Sequence, residues 1–455
     1  MDRPLPAWFD DAKFGIFVHW TAAAVPAFAP VTDSPFDLAA EHGWAQAMAN
    51  SPYVEWYQNS LSIEGSPVHL HHKETYGDLP YDAFVEEFLA GIRGWDPDAW
   101  ADLFAAAGAQ YVVLVTKHHD GVLLWPSAHR NPHKSGWQSE RDVVGELAAA
   151  VRERGMRFGT YYSGGLDWTF GGLPMRDLAG MIAAIPQTPE YLAYADAHWH
   201  ELIERYEPCV MWNDIGYPAA ADLPALFEHY FERVPDGVVN NRFDFIQQTS
   251  GTIHTDFITP EYSTQADPSG RKWESTRGLG SSFGYNRQEP DDSYLAVDEL
   301  VRLVIDVTAR GGNLLLNVGP AGDGTIPLVQ ASRILGLGWW LKTNGGAIFG
   351  TRPWAKSEAE TGDGLPVRYT VSPDALNAIV LGTPSGNAVV LPDVDPADDA
   401  AVELLGHRAP LTWRRAPTGV EVELPGRPPT GPAITLRWTP APAPAAAPAP
   451  SSPPG

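Results

Sequence analysis

Cysteine is almost missing from this chain. Cys209 is the only one in 455 residues, so no intrachain disulfide can form and the disulfide-scaffold class is excluded. That usage fits a reducing compartment. No segment approaches the roughly 18 continuous apolar residues of a membrane span, and the opening Met1-Asp2-Arg3-Pro4-Leu5-Pro6 lacks the apolar run of a secretory signal. The expectation is a soluble, cytoplasmic protein without a membrane partner. Basic charge is short as well: 31 Lys and Arg face 56 Asp and Glu, for a net charge of −25. A phosphate backbone needs a basic stripe that displaces counterions, so nucleic acid is excluded as a partner. The acidity reads as solubility and does not set subunit number, which leaves a homo-oligomer open. Also missing are a well-placed GxGxxG, a GxxxxGK[ST], a CxxC, an HExxH and a GxSxG. Dinucleotide, P-loop, zinc-finger, zincin and serine-hydrolase chemistries lose their signatures with them.

Aromatic residues, by contrast, are plentiful. Seventeen Trp and sixteen Tyr recur beside polar groups, as in His19-Trp20, Glu55-Trp56-Tyr57, Asp167-Trp168 and Trp212-Asn213-Asp214. A sugar ring offers apolar C–H patches and a rim of hydroxyls, which suits such pairs, although core packing accounts for most tryptophans. Apolar runs of strand type fall at 14–20, 111–119, 157–163, 208–214, 238–243, 254–261, 281–286 and 311–318. Helical patterns lie near 97–108, 142–155, 194–206, 223–233, 296–310 and 328–344. The alternation indicates parallel βαβ units, and eight strands suggest a (β/α)8-like barrel over residues 1–350. Most of the runs begin apolar and finish in a polar residue, and barrel chemistry sits at such carboxyl ends. After about 350 the pattern becomes short alternating segments broken by Pro, Gly and Asp. That predicts a small C-terminal antiparallel β-sandwich over 351–439. Residues 440–455 are Pro/Ala-rich and expected to be disordered.

Asp214 ends the fourth run and Glu261 the sixth. A carboxylate leaving a buried strand is costly unless paired or used, and spacing leaves Asp214 open between a structural cap and a reactive group. Two strand-end carboxylates are the minimum for glycoside hydrolysis. His118 and His119 sit in Lys117-His118-His119-Asp120-Gly121. Neighbours on a strand face opposite ways, which disfavours a shared metal and leaves hydrogen bonding to sugar hydroxyls as the preferred reading. His69, His71, His72, His129 and His133 fall in polar, loop-like stretches and read mainly as side chains facing water.

Taken in order, the motifs FGIFVHW, EWYQNSL, KHHDG, YYSGGLDW, WNDIGYP, NNRF, TPEY and GGNLLLNVGPAGDGTIP resemble those of family 29 glycoside hydrolases, the α-L-fucosidases, over residues 7–355. The resemblance implies a retaining, cofactor-free and metal-free enzyme acting on fucosylated glycans or glycosides. It also implies a trailing sandwich. Carried over residue by residue, Asp214 matches the nucleophile and Glu261 the general acid/base, with Glu274 in Lys272-Trp273-Glu274 as competitor. Glu261 is preferred because it follows a strand, whereas Glu274 falls in a Gly/Ser/Lys loop. His19, His118, His119, Tyr161, Trp212 and Arg242 match residues that hold fucose, and Glu55 with Trp56 match a pair closing the pocket. On this reading Arg242 keeps Asp214 ionised, and apolar walls such as Tyr262 keep Glu261 protonated. The C5 methyl of fucose calls for an apolar patch beside the histidines. Thr21 and Val122 depart from the family pattern near the expected rim. A glycosidase for a related sugar, a non-catalytic carbohydrate-binding protein and a metal-dependent hydrolase built on KHHDG are the rival readings.

Overall fold

The computed structural model describes residues 3–244, 253–265, 270–426 and 430–444. Seven parallel strands form one sheet: β1 (Phe14–Val18), β2 (Tyr111–Lys117), β3 (Arg157–Tyr162), β4 (Val210–Asn213), β5 (Val238–Val239), β6 (Glu274–Gly278) and β7 (Asn313–Val318). Their spatial order is β5-β4-β3-β2-β1-β7-β6. Between the two edge strands runs the segment 257–261, joined by single parallel bridges of Asn240 with Phe257, Ile258 with Trp273 and Glu261 with Thr276. That segment is the eighth stave, and it closes the curled sheet into a (β/α)8-like barrel.

Helices cover the outside where apolar periodicity predicts them: Pro97–Ala106, Val143–Glu153, Pro189–Tyr206, Leu223–Arg233, Val297–Ala309 and Leu328–Asn344. The first is started by Asp96, whose carboxylate accepts from the amides of Asp98 and Ala99, with Pro97 behind it. The alternation of strand side chains separates two cores. Val112, Leu114, Phe158, Leu314 and Leu316 pack outward under the helices, whereas Phe17, Tyr111, Val113, Val115, Tyr161, Trp212 and Leu315 fill the interior. Gly15 belongs to the inner row, where a Cβ would come within 2.6 Å of the Tyr111 ring.

Two expectations about strands change. The run 281–286 is a loop, and the strand lies earlier, at Glu274–Gly278. Its inner face is polar, with Glu274 and Thr276 buried, so it shows no hydrophobic alternation, and it places Glu274 on a stave instead of in a loop. The stretch 254–261 makes only isolated bridges. His69, His71 and His72 belong to a helix, Pro67–Tyr76, and His72 is buried between the Tyr57 hydroxyl and the Leu79 carbonyl.

Beyond the barrel, β8 (Arg352–Glu360), β9 (Pro366–Val371), β10 (Leu376–Val380), β11 (Ala388–Pro392), β12 (Val394–Asp395), β13 (Ala401–Leu404), β14 (Pro410–Leu411), β15 (Trp413–Ala416), β16 (Gly419–Glu423) and β17 (Ile434–Thr439) are antiparallel throughout their pairings. A six-stranded sheet and a three-stranded sheet enclose a separate core that includes Tyr369, Leu436 and Trp438, making a β-sandwich. Arg368 ties it to the barrel through Asp306 at 2.6 Å, and Arg310 reaches back to Glu358 at 2.7 Å. Ala443–Pro444 pair with Val394–Asp395, so the start of the Pro/Ala-rich tail is held in place. The disorder expected for 445–455 lies outside the described residues.

Glu274 is an unusual occupant of the barrel interior. It has no exposed surface, accepts from the Tyr111 hydroxyl at 2.5 Å and from the Trp212 indole at 3.2 Å. Burial pushes its carboxyl from 4.5 up to about 7. The unfolded chain therefore loses this proton first as pH rises, and the contribution to stability falls between about 4.5 and about 7 before levelling off. Glu274→Gln removes a penalty on the order of 3 kcal/mol at alkaline pH. We expect the melting temperature of the variant to fall less than that of wild type between about pH 5 and about pH 8. An unchanged gap would show that Glu274 is ionised in the fold.

Candidate functional site

At the carboxyl ends of the strands lies a cavity of about 290 Å³. The inner rows of the barrel lead into it. On β1 the row Gly15, Phe17 continues to His19, and on β4 Trp212 continues to Asp214. On β2 the inner row is Tyr111, Val113, Val115, but the register with β3 shifts between Val115 and Lys117. This irregularity reverses the parity of the row, so that His118 faces inward and stacks on Tyr161 at 5.8 Å.

Two carboxylates meet on one cation. Arg242 donates from Nη1 to Asp214 Oδ1 at 3.0 Å and lies 2.6 Å from Glu261 Oε1 through Nη2. Its Nε and Nη2 also bond the side chain and carbonyl of Thr259, and its guanidinium lies 4.9 Å from the centre of the Trp212 ring. Asp214 receives two more donors: the Tyr161 hydroxyl to Oδ2 at 2.8 Å and the Ile215 amide to Oδ1 at 3.0 Å. Burial raises its carboxyl above the ordinary Asp value, against the opposing pull of Arg242. Glu261 takes a further hydrogen bond from the Tyr53 hydroxyl at 3.2 Å. Its surroundings are thus a guanidinium and a phenol, where an apolar wall was expected. The Tyr262 hydroxyl is turned to the Ser281 carbonyl instead.

The histidines are held by their far nitrogens. His19 Nδ1 lies 2.6 Å from the Asn317 carboxamide oxygen, and the same amide donates to the Phe283 carbonyl, which fixes its orientation. His119 Nδ1 lies 2.6 Å from Ser163 Oγ, whose proton goes to the Leu166 carbonyl. Each Nδ1 is therefore a donor, and each Nε2 is left as an acceptor. Burial holds His19 down at about 3 and keeps His118 and His119 well below their ordinary value, so the rings are neutral. His118 Nδ1 is buried without a partner among the described residues. The two adjacent rings lie 4.0 Å apart, because both follow the end of β2, so the opposite-face argument does not apply to them. Among the described residues no three His, Cys, Asp or Glu side chains are grouped as metal donors.

The cavity wall contains the residues that the resemblance implies for catalysis and sugar holding: His19, Glu55, Trp56, His118, His119, Tyr161, Trp212, Asp214, Arg242 and Glu261. Glu274 is absent from it and lies deeper in the barrel. Glu55 is buried, accepts from the Gly284 amide at 2.8 Å, and is pushed by burial up to about 7. Phe17 and Phe283 pack on His19 at 4.5 and 5.0 Å and supply an apolar patch beside the histidines. Thr21 and Val122 are buried away from the cavity, not at its rim. Sequence reasoning missed Tyr53 and Asn317. Asn317 carried a usable signal, the polar exit of an otherwise apolar strand; Tyr53 carried none. Among the described residues, none in the wall comes from the sandwich.

Comparison with known proteins gives the same direction throughout. The profile of the alpha-L-fucosidase family matches residues 1–346. Rat plasma alpha-L-fucosidase is 34% identical over 450 residues, covering 93% of this chain and 88% of its own. Human tissue alpha-L-fucosidase is 31% identical over 456 residues, covering 96% and 89%. The structure of Thermotoga maritima alpha-fucosidase in complex with a mechanism-based inhibitor superposes with a TM-score of 0.84 at 41% identity, covering 96% of this chain and 97% of that one. Its complex with fucose gives 0.83. Likeness on this scale spans both the barrel that carries the paired carboxylates and the sandwich that does not, and it makes the chain a glycoside hydrolase of the α-L-fucosidase family.

Proposed function

We propose that the chain is a retaining exo-α-L-fucosidase that releases terminal α-L-fucose by double displacement. The observation that carries this reading is the single guanidinium of Arg242 shared by Asp214 and Glu261. One positive charge balances one of two carboxylates, so the assembly is neutral when one carboxyl is protonated. Double displacement starts from that state, with one carboxylate ionised to attack and one carboxyl protonated to donate.

Asp214 is the nucleophile in this scheme. Its Oδ2 has one donor where Oδ1 has two, so Oδ2 keeps the freer lone pair for the anomeric carbon. As the Asp214–sugar ester forms, the glycosidic C–O bond breaks and its electrons stay on the departing oxygen, which takes the proton of Glu261. Glu261 then removes a proton from water, the water oxygen attacks the anomeric carbon, and the ester bond breaks to restore the Asp214 carboxylate. Arg242, Tyr161 and the Ile215 amide hold the charged form of Asp214 before attack and after release. The free Nε2 atoms of His19 and His119 accept hydrogen bonds from sugar hydroxyls, and His118 Nδ1 is a further site for one. Tyr161 and Trp212 form the floor, and Glu55 with Trp56 close the side. Phe17 and Phe283 favour a sugar with a C5 methyl over the hydroxymethyl analogue. A cytoplasmic location is part of the same proposal and rests on the lone, buried Cys209 thiol.

Asp214→Gly is expected to lose 4-nitrophenyl α-L-fucoside turnover by at least about a thousandfold, and azide should restore nitrophenol release with formation of β-fucosyl azide. Glu261→Ala with azide should give the α-fucosyl azide, because the first displacement is retained. The same anomer from both variants would defeat the assignment of roles. The acid limb of the kcat/KM profile should follow Asp214. Activity rises with pH as this carboxyl ionises, with a midpoint above the ordinary Asp value of 3.8 because burial opposes ionisation. A midpoint at or below that value would remove burial as the dominant influence. Inactivity on every fucoside, with binding of free fucose retained, would favour the carbohydrate-binding reading.

A further inference from the structure

The cavity changes character from its floor to its mouth. Among the described residues, its charged groups stand on or beside the barrel staves or on the segment carrying Glu55. The outer wall comes from three short helices, Pro35–His42, Trp44–Ala49 and Leu178–Ala183, which contribute Pro35, Phe36, Trp44, Met48, Leu178 and Met181. None of these carries a charge, and the Trp44 indole is the only N–H or O–H among their side chains. Met48 and Met181 are buried. Phe36 stands 52% exposed at the mouth, edge-on to the Trp44 ring at 6.0 Å. Ile215, next to Asp214, belongs to the same apolar cluster as Trp44, Met48, Leu178 and Met181. Apolar contacts therefore link Ile215, beside Asp214, to Trp44, and the Trp44 ring to the half-exposed Phe36.

We propose that this outer ring seats the leaving group and selects an alkyl or aryl aglycone over a second sugar; the inference rests on the fucosidase reading above. A sugar in this position would bring a rim of hydroxyls against helices that offer one donor, the Trp44 indole, with the Ser51 hydroxyl beside them. Most of the rim would be desolvated without partners. An alkyl chain or aromatic ring has no such requirement, and a partly exposed Phe beside a half-buried Trp gains most by covering apolar surface. The two methionines bend around ligands of different shape, which suits a class of aglycones more than a single one.

Leaving-group ability has to be controlled in the test. We therefore compare methyl and octyl α-L-fucosides, whose alcohols are of similar basicity, with a galactosyl-linked one. Its more acidic alcohol leaves more readily and so biases the comparison against the proposal. Each methylene buried in the outer ring is worth about fourfold in kcat/KM. The octyl fucoside is expected to exceed the methyl fucoside by about 60-fold, for three buried methylenes at about fourfold each, and the galactosyl-linked one to stay near methyl. In Phe36→Ser and in Phe36→Ser/Trp44→Ser the octyl-to-methyl ratio should collapse toward one. Thermal melting is recorded for each variant, and the wild-type ratio stands even if a variant fails to fold. A flat wild-type ratio, a galactosyl-linked substrate as favoured as the octyl one, or variants that keep the wild-type ratio would each overturn the proposal. Absence of turnover on all three substrates would instead defeat the fucosidase reading beneath it.

Discussion

Arg242 is the constraint on which the site depends. Its guanidinium is mostly buried, with 12% of its side chain exposed, and it serves Asp214 and Glu261 from its two terminal nitrogens. A charge so placed without partners would cost several kcal/mol. Two carboxylates facing each other without a cation would repel. The arrangement is therefore mutual: each group makes the burial of the others tolerable. Thr259 fixes the remaining nitrogens, and the Trp212 ring lies beside the guanidinium. Removing the guanidinium leaves buried carboxylates uncompensated, a loss of about 3–5 kcal/mol in comparable buried pairs. The position of two carboxylates on separate staves is in this sense set by a third group.

The barrel delivers these groups by simple alternation. Inner rows that are aromatic and aliphatic at the bottom become His, Asp and Arg at the carboxyl end, without a change of direction. Where alternation alone would fail, after β2, the shifted register restores it and brings His118 under Tyr161. Neutral imidazoles follow from the same burial: water is excluded, the charged form is disfavoured, and the fixed Nδ1 donors leave acceptors toward the cavity. Among the described residues the sandwich makes no part of this wall. It is joined to the barrel through the Arg368–Asp306 and Arg310–Glu358 pairs.

What the sequence disclosed follows from what leaves a pattern. Buried helix faces and apolar strands have a period, so six outer helices and most staves could be placed from it. β6 could not, because Glu274 and Thr276 put polar side chains on its inner face and the nearby Ser281–Asn286 stretch mimicked a strand better. Asp214 showed itself as an acid after an apolar run, and Glu261 as an acid after a weak one. The assignment of sugar-holding roles came from ordered motifs and not from spacing. The outer ring was invisible: Phe36, Trp44 and Met181 sit on helices too short for periodicity and in no motif. Nor could a sequence show that Arg242 reaches both carboxylates, since that depends on where residues 242 and 261 leave adjacent staves.

Double displacement requires that one of the two carboxylates on Arg242 become covalently bonded to the sugar while the other moves the proton. Incubation with 2-deoxy-2-fluoro-α-L-fucosyl fluoride, followed by proteolysis and mass spectrometry, addresses it directly, because the fluorine slows breakdown of a glycosyl ester. One fluorofucosyl group per chain is expected, on the peptide containing Asp214. A label on Glu261, Glu55 or Glu274, or turnover without any adduct and with inverted product, would contradict it.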